Sequence, residues 1–63
     1  MYYGILGRKA GKGRFAPLDF GAGRFVTNVI FQTLWDEKGE AQAALNKLKS
    51  MNTEYEWRLG FRH

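Results

Sequence analysis

The chain reads as an α+β fold: a small antiparallel sheet of three to four strands with one helix packed on one face, in the order β-β-β-α-β. Three observations predict it. Residues 54–62 alternate strictly between polar and apolar types, which signals a strand with one buried and one wet face. Ala41, Ala44, Leu45 and Leu48 fall at i, i+3, i+4 and i+7, the spacing of one helical stripe. Before the helix lie short β-branched and aromatic runs punctuated by glycine. Sixty-three residues suit a single domain over 1–63 and bury only about 60% of the surface the unfolded chain exposes.

Taken in order, Tyr2-Tyr3-Gly4-Ile5-Leu6-Gly7-Arg8 is an apolar run weakened by two glycines and ended by charge, a first strand. A basic, glycine-rich hairpin over 8–14 follows, with Lys9 to Gly13 as its loop. Arg14 to Phe20 forms a second strand, at an edge or broken at Pro17, which has no N–H for a ladder. Gly21-Ala22-Gly23 is a second loop. Residues 25–35, Phe-Val-Thr-Asn-Val-Ile-Phe-Gln-Thr-Leu-Trp, predict a central strand on composition, with a helix over 24–35 as the competing reading. Asp36 is a candidate N-cap, Glu37 and Glu40 favour a helix start, and Lys47 and Lys49 favour its end, giving a helix over 37–51. In the last strand Tyr55, Trp57, Leu59 and Phe61 are expected on the buried face.

The charge is uneven. The net charge is +4, and up to Arg24 the bases Arg8, Lys9, Lys12, Arg14 and Arg24 meet only Asp19, whereas from Phe25 onward bases and acids cancel. Asp19 reads most simply as a loop acid pairing with Arg14 or Arg24. The basic part also holds six of the eight glycines, so the cations ride on turned backbone suited to touching an acidic partner. Phe15, Phe20 and Phe25 are interleaved with them. Rings to stack bases and cations to hold phosphates are what single-stranded nucleic acid requires. The same mixture describes a protein hot spot. The candidate partner-binding set is therefore Arg8, Lys9, Lys12, Arg14, Arg24, Phe15, Phe20 and Phe25.

Enzymatic classes fare poorly. There is no cysteine, one serine (Ser50) and one histidine (His63), so no nucleophile–base pair or zinc cluster assembles, and no cofactor or metal is expected. Gly11-Lys12-Gly13-Arg14-Phe15-Ala16 matches a loose dinucleotide pattern but lacks the helix that must follow it. Gly7 to Gly13 misses a P-loop by one residue and by the Ser or Thr that holds magnesium. Neither a signal segment nor a long apolar run is evident, which predicts a cytoplasmic protein without membrane contact.

The stretch from Arg24-Phe25-Val26-Thr27-Asn28 through Trp35, the Asp36-started helix and the alternating last strand together resemble small accessory proteins of phages and mobile elements. The likeness is in size and organisation and extends to anti-CRISPR-type inhibitors; no diagnostic motif matches, so no family residue carries over. Many such inhibitors are acidic DNA mimics, and this chain is basic. The resemblance implies a non-enzymatic inhibitor that seeks an acidic protein patch or the nucleic acid of a nucleoprotein such as a CRISPR effector. Two further classes stand beside it: a protein–protein inhibitor or assembly factor without nucleic-acid contact, and a structural subunit forming a homodimer or larger homo-oligomer through its aromatic face.

Overall fold

A computed structural model describes residues 1–62. Its elements are β1 (Tyr2–Lys9), β2 (Ala16–Asp19), β3 (Arg24–Phe25), a 3-10 turn (Val29–Phe31), β4 (Leu34–Trp35), α1 (Lys38–Met51) and β5 (Tyr55–Arg62). β1 is the hub of a curled antiparallel sheet. Along one edge it pairs with β5 over its whole length, from Tyr2↔Arg62 to Lys9↔Tyr55. Its other edge is shared, with β4 beside Tyr3 and Gly4 and β2 beside Leu6 and Gly7. β3 then pairs with the far side of β2.

Between β4 and β2 the carbonyl of Ile5 has no strand opposite it. Gln32 fills the gap, donating from Nε2 to that carbonyl at 3.4 Å from a side chain that is only 9% exposed. Such a reach is possible because residue 4 is glycine: a Cβ there would stand 2.3 Å from Gln32 Nε2.

The single strand expected over 25–35 does not form. Asn28 Oδ1 accepts from the N–H of Ile30 at 3.1 Å and its carbonyl accepts from Phe31, so a local turn outcompetes extended backbone. Topology reinforces this, because the chain must leave the far side of β2 and cross to the opposite end of β1. Only residues 24–25 and 34–35 remain as strand, and the competing helix shrinks to the three-residue 3-10 turn. Thr33 pins the crossing: its N–H donates to Leu18 O, and its hydroxyl accepts from the N–H of Phe20 at 2.8 Å.

Two smaller expectations also change. β2 is flanked on both sides rather than lying at an edge, and the break expected at Pro17 falls on its β3 side alone. Pro17 accepts from Val26 N but has no N–H to return the bond, so the β2–β3 ladder ends there. The helix cap is Glu37 rather than Asp36, and it makes no side-chain capping bond.

The core lies between α1 and one face of β1 and β5. Ile5 is fully buried, with Leu18, Ala41 and Leu45 beside it and Phe20, Trp35, Ala44, Leu48, Trp57 and Leu59 packed around. The small Ala41 and Ala44 let the helix lie close to the sheet. Trp57 lies across Gly7, where a Cβ would come within 2.6 Å of its ring, and Trp57 Nε1 donates to Asn52 O at the helix end. Of the four apolar residues expected on the buried face of β5, Phe61 departs: it is 62% exposed and meets Tyr3 edge-on.

Candidate functional site

The hairpin between β1 and β2 turns on Gly11 and Gly13, both at positive φ (72° and 73°), with open space where a Cβ would stand. Glycine is needed there for backbone conformation rather than for packing. Its base is tied to β5 through one carboxylate. Glu56 Oε1 accepts from Gly11 N at 2.6 Å, and Oε2 accepts from Arg8 at 3.1 Å. The Gly11 N–H and then the Arg8 guanidinium hold Glu56 below the ordinary glutamate range. Arg8 also donates to Gly13 O and lies over the Phe15 ring at 4.6 Å. The Arg8 guanidinium is thus spent on anchoring the hairpin.

Strand alternation sorts the remaining groups onto two sides. Tyr3, Ile5 and Gly7 share the helix side with Tyr55, Trp57 and Leu59. Leu6 and Arg8 share the opposite, open side with Glu56, Arg58, Gly60 and Arg62. Phe15 joins the open side, because Arg58 also covers its ring at 4.6 Å. Arg58 and Arg62 wall a shallow groove of about 420 Å³ floored by Gly4 and Gly60, with no acid on its lining. The only ion pair among the described residues is Arg8–Glu56, so Arg58 and Arg62 have no carboxylate partner there.

The eight residues singled out from the sequence therefore do not form one patch. Lys9, Lys12 and Arg14 are exposed on or beside the hairpin tip, next to Arg8 and Phe15. Phe20 packs edge-on against Trp35 at the core. Phe25 lies on the helix side, stacked 5.8 Å from both Tyr55 and Trp57, with Arg24 near it on the wall of a second groove beside the end of α1. The three rings are mutually 5.6–5.8 Å apart and within 26° of parallel, so they form a three-cornered cluster rather than a column. Asp19 forms no ion pair among the described residues; it caps the following turn, accepting from Ala22 N at 3.1 Å.

No family model, curated protein or solved structure matches this chain. Its chemistry must be read from the residues themselves. Among the described residues no group of three or more His, Cys, Asp or Glu side chains converges as a metal site. Nor is any helix among them long and apolar enough to cross a membrane.

Arg58 and Arg62 escaped attention in the sequence because the carboxyl-terminal half is neutral overall. Its acids, however, are not where its bases are. Asp36, Glu37 and Glu40 gather at the start of α1, Glu54 lines the second groove beside the end of α1, and Glu56 is committed to the hairpin. The signal was available in the alternation of 54–62, which places residues 56, 58 and 62 on one face whatever the net charge of the segment.

Proposed function

We propose that this protein is a non-enzymatic binding module that engages nucleic acid, free or within a nucleoprotein complex, through the open side of its sheet and the adjoining hairpin tip. Lys9, Lys12, Arg14, Arg58 and Arg62 contact phosphates, and Arg8, Phe15 and Glu56 hold the hairpin in place beneath them. The observation that carries this reading is the fate of Glu56. It is the one acid among the open-side residues of β1 and β5, and Arg8 and the Gly11 N–H already occupy it. Cations without local acids attract polyanions and release their counterions on binding. A small phage or mobile-element accessory role, as inhibitor of a defence nucleoprotein, fits the same surface.

A protein partner is the second reading, its acidic face expected from the same cations and its contact area favoured by the apolar Val29, Ile30 and Phe31. None of the three is buried, and Ile30 is 75% exposed. Affinity for a fluorescent single-stranded oligonucleotide, measured against salt, separates the two. Each phosphate contact contributes about 0.7 to the log–log slope for a single strand. A steep slope that flattens when Lys12, Arg14, Arg58 and Arg62 are replaced by alanine supports nucleic acid; absence of binding at low salt rejects it.

A further inference from the structure

We infer that β5 is a self-pairing edge, and that two copies join antiparallel about a two-fold axis at Leu59 to make one continuous sheet. Among the described residues β5 pairs only with β1, which leaves its other edge without a strand. Two devices that blunt such an edge are missing: the eight residues contain no proline, and their register with β1 runs without a bulge; their charges, Glu56, Arg58 and Arg62, include no lysine.

Parity decides which backbone groups face outward. Ala10 N donates to Glu54 O at 3.0 Å, so Glu54 points its backbone at the β1 side. In an antiparallel ladder this orientation alternates, so residues 56, 58, 60 and 62 also point inward, while Tyr55, Trp57, Leu59 and Phe61 point out. The Tyr55 N–H is already donated to Asn52 O. Trp57, Leu59 and Phe61 are left with their N–H and C=O groups toward the empty edge.

A two-fold axis at Leu59 uses all three. Leu59 then lies opposite Leu59 of the second copy, and Trp57 opposite Phe61, as hydrogen-bonded pairs. Arg58 faces Gly60 in the pairs between them, and Glu56 faces Arg62 in the flanking pairs just outside. The match sets no like charges opposite one another, covers the exposed Phe61 with a tryptophan, and gives Arg58 a neighbour without a side chain. Shifting the axis to residue 58 sets Arg58 against Arg58, and shifting it to 60 sets Arg58 against Arg62; like charges directly opposite are destabilising. Shifting it to 57 calls on the Tyr55 N–H that Asn52 already holds. The occupant is therefore a second copy in one register.

The test is amide exchange of the intact protein at rising concentration, with sedimentation in parallel. Exchange at Trp57, Leu59 and Phe61 is expected to slow, on the order of tenfold, as the sedimenting species shifts from monomer to dimer, while residues 56, 58 and 60 stay protected throughout. Phe61→Pro removes an outward N–H without touching the β1 ladder, and Arg62→Glu sets an acid opposite each Glu56; each is expected to return the protein to monomer with its circular dichroism intact. A strict monomer at high concentration overturns the inference. So does a dimer that both variants preserve, or one that leaves exchange at 57, 59 and 61 fast.

Discussion

The two sides of the β1–β5 ladder come from the same residues taken alternately, yet they serve opposite ends. The helix side is closed: Ile5 is fully buried, Trp57 lies flat on Gly7, and Phe25 and Tyr55 stack beside it. The open side carries Arg8, Glu56, Arg58 and Arg62 around a floor of glycines. A change on the first side must be felt as lost packing, and a change on the second as lost contact with something outside. In a chain of this size one sheet face is all the core available, so the other is free for recognition.

The difference can be broken most forcefully at Ile5. Ile5→Ala is expected to cost about 2–5 kcal/mol, a large share of what a small domain possesses, read as a fall in the urea midpoint. Gly7→Ala comes next. Its Cβ would press on the rings of both Trp57 and Phe25, so overpacking of about 1–3 kcal/mol is expected, with a shift in Trp57 fluorescence that Ile5→Ala need not show.

Glu56→Gln sharpens the boundary between the two sides. Because Glu56 has a folded pKa below its unfolded one, its contribution is complete above the ordinary glutamate range and disappears as pH falls through the depressed value. The wild-type protein is therefore expected to lose more thermal stability on acidification through that range than the Gln variant, and equal pH profiles would show the carboxylate to be idle. Smallest for the fold are Arg58→Ala and Arg62→Ala. The first gives up a cation–π contact worth about 1 kcal/mol or less, and the second changes thermal stability by no more than about 0.5 kcal/mol.

How much of this was legible beforehand follows from the range of the forces involved. β5 and α1 were readable because their periodicity is local, and Ala41, Leu45 and Leu48 had only one consistent face to bury. The segment 25–35 misled because its β-branched and aromatic residues favour extended backbone in isolation. The Asn28 turn and the division of one β1 edge between β2 and β4 are tertiary facts. The buried Gln32 belongs to the same class, since nothing local tells that Ile5 O would lack a strand partner. For the site, net charge by chain half pointed to the hairpin correctly as a place of exposed cations, but it hid Arg58 and Arg62, whose balancing acids lie elsewhere in space. It also assigned Arg8 a free role that pairing with Glu56 removes, and grouped Phe20 and Phe25 with residues on the other side of the sheet.

The division of labour between the two sides is tested most directly by one paired measurement on the variant with Lys12, Arg14, Arg58 and Arg62 all changed to alanine: oligonucleotide affinity across a salt series, beside thermal unfolding of the same sample. The account predicts that the salt slope falls by roughly 0.7 for each contact removed while unfolding stays cooperative near the wild-type temperature. An unchanged slope, or a collapse of the unfolding transition with the binding, would contradict it.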